Sequence, residues 1–321
     1  MTNTELLAVF ENAERRIDAD GTLPFFRRNL RRAFVLRGRY VKYLLLRLYP
    51  MLRPMVKEIK GETAWRRPFV MPATDVYGLS LACFGLLTGP DMRVEKFLAK
   101  HLSESDVFYD VGANYGFYSM LAEEGASKGE IHVFEPVAQV FSYLEKNFKH
   151  GAGDLSSRKN VFLNNVAVSE TMGESTFYES YSAAASGMST LREDIARNDP
   201  NTFHPVKVST IMLDEYAKNH RPPSVIKMDI EGAEYKALVG ARGMLARSHP
   251  TIVMEIWLDP GVNEEHRRAV ELLYGLGYSS FTLNDTGEPE EISDLPQRLR
   301  EPAVGTELNG NFVFQWRKGG A

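Results

Sequence analysis

The sequence predicts an α/β fold: an open, mostly parallel sheet of the doubly wound kind, closed at one edge by an antiparallel pair and preceded by an N-terminal helical extension. Three observations carry this. After Pro72, short Val-, Ile- and Phe-rich runs alternate with helical patterns, as strands joined by crossover helices require. Near the C-terminus, the strand-like runs 281–283 and 312–316 flank an acidic, proline-containing loop, which suits two antiparallel strands at a sheet edge. Residues 1–70 differ in both pattern and charge, with a net of +8 against −12 for the remainder.

Taken in order, Leu6, Phe10, Ala13 and Ile17 step by four, three and four, which is one helix stripe, and Asp20-Gly21 breaks it. Between Pro24 and Pro54, Val41, Leu44, Leu45 and Leu48 form a second stripe flanked by Arg28, Arg31, Arg32, Arg37, Arg39, Lys42 and Arg47. This basic amphipathic stretch reads either as a helix packed on the main body with solvated arginines, or as a membrane-surface or anionic-partner element over residues 24–60. The expected division is therefore a basic helical extension over 1–70 and a main domain over 71–321.

Strands are expected at Val107–Val111, Glu130–Phe134, 161–166, Val225–Met228 and 252–256. Val137, Val140, Phe141, Leu144 and Phe148, then Ala269, Leu272, Leu273 and Leu276, supply core-facing helix stripes between them. Residues 169–210 are polar and Ser/Thr-rich, too long for an ordinary connection, and read as an insertion or lid.

Composition narrows the function. With 321 residues, 44% apolar and 25% charged, the chain buries a substantial core and is not disordered. A net charge of −4 offers no general attraction to nucleic acid. Cys83 is the only cysteine, so no intrachain disulfide or thiolate metal cluster forms, which suits a reducing compartment. Glu5, Glu11 and Glu14 make the first residues unlike a secretory signal, and the longest uncharged run, 76–90, is too short to span a bilayer. A cytoplasmic protein is expected, either free or peripheral to a membrane.

The chemistry is concentrated in the first strand–turn–helix. Asp110-Val-Gly112-Ala113-Asn114-Tyr-Gly116 follows a buried strand and leads into an apolar helix. A dinucleotide-binding turn carries a central glycine where Asn114 stands, and the Asp110 carboxylate would repel a pyrophosphate. Both features favour S-adenosylmethionine, whose reacting end is cationic, over NAD. Glu135 ends the next strand 19 residues beyond Gly116, the separation at which an acid binds ribose hydroxyls, and Pro136 starts the following helix.

These residues, together with Ile226-Lys-Met-Asp-Ile-Glu-Gly-Ala-Glu234 and Val253-Met-Glu-Ile256, resemble the FkbM family of S-adenosylmethionine-dependent methyltransferases over roughly residues 85–260. The resemblance implies a class I methyltransferase Rossmann-like sheet of seven strands. It further implies methyl transfer, usually to oxygen, on a small-molecule acceptor, often a sugar or secondary metabolite. Carried over residue by residue, it puts the methionine part of the cofactor near Asp110, Gly112, Ala113, Asn114 and Gly116. The ribose goes to Glu135 and Pro136, and adenine beside Asn165 and Ala167.

A hydroxyl is a poor nucleophile until its proton is removed, so a carboxylate, a histidine or a metal is expected near the methyl group. Asp229, ending the fourth strand beside the first, is the leading candidate; Glu231, Glu255 and, from the insertion, His204 are the others. Asp229 and Glu255 would be the ligands of a divalent metal, which the spacing does not favour. Tyr115, Tyr118, Tyr178, Tyr181 and Trp257 could line an acceptor pocket. The rival readings are an NAD(P)-dependent oxidoreductase, which Asn114 and Asp110 disfavour, and a non-catalytic Rossmann-like protein that binds a partner or membrane through its basic helices.

Overall fold

The computed structural model describes residues 2–21, 56–73, 75, 81–87, 89–149, 160–180, 189–193, 203–258, 263–293, 295–300 and 309–317. The basic stretch from Pro24 to Pro54, Tyr181, Asp259 and much of the insertion lie outside them, and with them most of the segment expected to meet a membrane surface. No helix among the described residues is long and apolar enough to cross a membrane.

Helix α1 (Asn3–Gly21) is followed by a hairpin of β1 (Glu58–Glu62) and β2 (Pro68–Pro72), then α2 (Asp91–His101), β3 (Val107–Val111), α3 (Phe117–Gly125), β4 (Glu130–Phe134), α4 (Ala138–Lys149) and β5 (Val161–Asn164). Next come β6 (Ala167–Val168), β7 (Gly173–Ser180), β8 (Phe203–Ile211), α5 (Leu213–Tyr216), β9 (Val225–Met228), α6 (Glu234–Val239), α7 (Arg242–Ser248) and β10 (Thr251–Trp257). The chain ends with α8 (Glu264–Gly275), β11 (Tyr278–Leu283), β12 (Pro289–Glu291), α9 (Leu295–Arg300) and β13 (Asn309–Trp316).

The main sheet runs β12-β11-β13-β10-β9-β3-β4-β5. Its β5, β4, β3, β9 and β10 are parallel, while β13 joins β10 and β11 antiparallel. This is the expected sheet and edge pair, extended by one short strand, β12, against β11. The order reverses between β3 and β9, where a doubly wound sheet opens its ligand crevice at the carboxyl ends of the strands.

Two cores cover the sheet, as its near-continuous apolar strands demand. Tyr109, Val111, Ile226, Met228, Ile252, Met254 and Ile256 face one, with α7 and α8. Phe108, Val225, Val253 and Val313 face the other, which holds Leu6 and Phe10 of α1, Trp65 and Phe69 of the hairpin, and the apolar sides of α2 and α3.

That second core joins residues from both sides of the expected boundary at residue 70. The boundary cuts β2 within the hairpin, and Val70 N–H donates to Asn147 Oδ1 on α4 at 2.6 Å. Asn147 Nδ2 in turn donates to the Tyr115 carbonyl, so the hairpin braces the loop after β3. Trp65 packs edge-on against both Phe10 and Phe117. The hairpin and the buried face of α1 belong to the main body. Within 169–210 the described residues include β7 and most of β8, which pair antiparallel and join β6 in a small sheet ordered β6-β8-β7.

Candidate active site

The turn after β3 is held by its own backbone. The N–H groups of Gly112 and Ala113 both donate to the Phe134 carbonyl at 3.0 Å, tying the ends of β3 and β4 together. Gly112 has φ +83°, and a Cβ there would lie 1.9 Å from the Asp229 carbonyl oxygen, so only glycine fits. Asn114 and Gly116 also adopt positive φ.

A cleft opens beside this turn. Gly112, Pro136 and Ala167 line it together with Phe134, and Phe177, Leu191 and Ile230 close its other side. Phe177 and Leu191 come from the segment read as an insertion or lid, which here supplies a wall.

Glu135, only 6% exposed, sits at the end of β4 and uses both carboxylate oxygens. Oε2 accepts the Asn114 N–H at 3.0 Å and Oε1 accepts the Val137 N–H at 2.9 Å. Burial outweighs these bonds and pushes its pKa up to about 7. The Asn165 amide donates to the carbonyls of Glu135 and Pro136, clamping the strand end. Asp110 is likewise engaged within the protein. It is 1% exposed and accepts the Ser119 hydroxyl beneath the turn, and burial raises its pKa to about 6.

The second group of acids is brought together by the sheet. Side chains alternate faces along a strand, so Asp110, Lys227, Asp229, Glu255 and Asn311 lie on the face of Val225 and Val253. Parallel registry sets Asp110 beside Lys227, and antiparallel registry sets Glu255 opposite Asn311. Carboxylate oxygens of Asp229, Glu231 and Glu255 all lie within 4.8 Å of one another. That spacing also suits an oxygen-ligated divalent cation, with Glu231 added to the two ligands expected.

Lys227, fully buried, reaches Asp229 Oδ2 at 3.0 Å and lies over the Tyr118 ring. Burial alone would lower its pKa; Asp229, Glu255 and Asp91 overcome that and hold it above the usual lysine value. Burial, then the Asp229 charge, pushes Glu255 up to about 8 and holds Glu231 well above the carboxylate range. Trp257 donates its indole N–H to Glu255 Oε2 at 3.1 Å.

His204 is not part of this cluster. It lies on β8 across from Glu179, 3.2 Å from its carboxylate, and Glu179 acts electrostatically on Glu135. The histidine therefore sits toward the Glu135 end of the cleft. Tyr115 is also turned away, its hydroxyl donating to buried Asp75.

Two site residues escaped the sequence reading. Asp91, the first residue of α2, accepts from Asn311 Nδ2 at 3.2 Å and from the Tyr118 hydroxyl at 3.4 Å. Burial and then Asp229 raise its pKa. At the start of a helix it looks like a dipole-favoured acid, and Asn311 reaches the site only through the β10–β13 register.

The methyltransferase FkbM domain model matches residues 110–280, from Asp110 beneath the turn past both clusters. The chain belongs to the FkbM methyltransferase family. The FkbM assignment makes it an S-adenosylmethionine-dependent methyltransferase, and the rival oxidoreductase reading falls. Among curated relatives, the hexuronic acid methyltransferase AglP of Haloferax volcanii is 24% identical over 220 residues, covering 67% of this chain and 79% of the relative. The methyltransferase FkbM structure from Methylobacillus flagellatus KT aligns with a TM-score of 0.40 at 16% identity, covering 75% of this chain and 55% of that one. The precorrin-6y C5,15-methyltransferase of Geobacter metallireducens GS-15 gives a TM-score of 0.40 at 15% identity, covering 73% and 90%.

Proposed function

We propose that this protein transfers a methyl group to a hydroxyl oxygen of a small, sugar-containing acceptor. The observation that carries the reading is the trio Asp229, Glu231 and Glu255, gathered at the strand ends next to the Gly112 cleft, with two of its members carrying raised proton affinity. The distant relationship to a hexuronic acid methyltransferase supports a sugar as the acceptor class.

The cleft fits S-adenosylmethionine. Gly112 lines it, Glu135 at the end of β4 offers carboxylate lone pairs to a ribose diol, and Phe134, Pro136, Ala167, Phe177 and Leu191 offer apolar walls to a purine. When bound, this cofactor supplies a methyl group on a sulfonium, electrophilic without further activation.

The remaining work falls to the chain itself. It must align an acceptor oxygen and take its proton. Asp229 already accepts the Lys227 ammonium, whereas Glu255 keeps a proton affinity near that of the medium. Glu255 is thus the better proton acceptor, in its ionised form, and Asp229 the group that orients. Asp91, Asn311 and Trp257 surround the cluster with further polar groups suited to sugar hydroxyls.

The test is calorimetric titration with S-adenosylhomocysteine and with NADH, then methyl transfer from labelled S-adenosylmethionine to a panel of hexuronic acids, neutral glycosides and phenols, with and without magnesium. Saturable binding of S-adenosylhomocysteine alone, with label on a sugar oxygen, is expected. Label on nitrogen or carbon, or on phenols only, overturns the acceptor assignment.

A further inference from the structure

Behind the carboxylate trio lies a buried pair that the proposed chemistry does not use. Glu234 and His266 have fully buried side chains, and Glu234 Oε2 is 3.0 Å from His266 Nε2. The other carboxylate oxygen, Oε1, accepts the Ile230 N–H at 3.0 Å. This bond spans a turn in which two consecutive residues are left-handed, Glu231 at φ +55° and Gly232 at φ +89°. A non-glycine residue holds that conformation only when its surroundings impose it. The Thr190 hydroxyl grips the same turn from the other side, donating to the Glu231 carbonyl at 2.7 Å.

His266 faces the second carrier of the trio. Its ring lies 5.1 Å from the ring of Trp257, whose indole N–H binds Glu255. One buried pair therefore touches the turn that bears Asp229 and Glu231 and the side chain that holds Glu255. If it served only to join α6 to α8, apolar side chains of the same volume would serve as well, because a buried polar pair gains little over packing. An apolar side chain offers no acceptor to the Ile230 N–H.

We infer that Glu234 and His266 are positioning residues, which fix the Ile230–Gly232 turn and the Trp257 indole so that the three carboxylates stand together. This rests on the reading of the trio as the acceptor site, but its test does not need turnover.

The measurement is backbone amide exchange and the indole N–H spectrum of the full chain, as parent, Glu234→Ala, Glu234→Gln and His266→Gln, with the indole signal of Trp257 assigned by its loss in Trp257→Phe. In Glu234→Ala, protection of the Ile230 amide should fall at least tenfold and the Trp257 signal should shift, while Met228 and Val253 amides keep their protection. Glu234→Gln, which removes the charge but keeps an acceptor, should restore Ile230 to within about threefold of the parent. Unchanged Ile230 protection in folded Glu234→Ala overturns the inference, as does a Glu234→Gln turn as open as the alanine variant. Should Glu234→Ala not fold, His266→Gln decides: a moved Trp257 signal with at least threefold faster Ile230 exchange supports the inference, and no change in either defeats it. S-adenosylhomocysteine affinity within twofold of the parent in each folded variant marks the loss as local. Failure of the parent itself to bind S-adenosylhomocysteine would strike the methyl-transfer reading instead.

Discussion

Lys227 Nζ and Asp229 Oδ2 meet at 3.0 Å across one pleat of β9, with the lysine fully buried and the aspartate a third exposed. The contact distinguishes Asp229, which the sequence puts first among the candidate bases, from Glu231 and Glu255. A carboxylate already accepting an ammonium hydrogen bond has less use for a substrate proton than one of high proton affinity.

Replacing Glu255 by Gln should therefore lower methyl-transfer turnover by about 10²–10⁴, the usual worth of a general base. Asp229→Asn should cost less in turnover, and neither should alter S-adenosylhomocysteine affinity more than twofold. The parent rate should climb with pH through about 8 as Glu255 ionises. Steady-state kinetics across pH would reverse the assignment if Asp229→Asn proved the slower enzyme.

Glu135→Ala removes the proposed ribose acceptor and frees the N–H groups of Asn114 and Val137. S-adenosylhomocysteine affinity should drop by roughly 1.5–3 kcal/mol, about 10- to 150-fold, as for hydrogen bonds to a charged group. Equal calorimetric affinity of variant and parent would take Glu135 out of the cofactor site.

Stability should fall as pH rises from 6.5 to 8.5. Glu135 at about 7 and Glu255 at about 8 bind protons in the folded state more tightly than in the unfolded chain, so the folded protein holds more protons in this window and loses that advantage on the way up. His132, lowered to about 4 chiefly by burial, works in the opposite direction only below its ordinary value near 6.5. Thermal melts at four pH values would contradict this by showing a flat or rising midpoint.

Deleting residues 1–60 should destabilise the protein rather than shed an independent module. The cut removes Leu6, Phe10 and Ile59 from the core, uncovers Trp65 and strips β2 of its partner. Loss of three large core side chains is worth on the order of 6 kcal/mol or more. A truncated chain with the parent's urea midpoint would restore residues 1–60 to the status of an appendage.

The strands Val107–Val111, Glu130–Phe134 and Val225–Met228 were legible to the residue, because strands covered on both faces must be apolar throughout. The small sheet was not. In Phe203–Ile211 exposed and buried residues alternate around prolines and serines, and its partner Gly173–Ser180 is polar along most of its length. The β1–β2 hairpin hid for a similar reason, five-residue strands among prolines and charges.

By itself the sequence determined the family, the parallel sheet and the candidate carboxylates Glu135, Asp229 and Glu255, because each stands at or near a strand end, a place local pattern marks. Which of those acids face one another was decided only by tertiary structure. The β10–β13 register brings Asn311 to Glu255, helix packing brings Asp91 to Asn311, and a buried lysine engages Asp229. Burial and proximity arise between segments far apart in the chain, and the shifts in proton affinity that follow from them have no local signature.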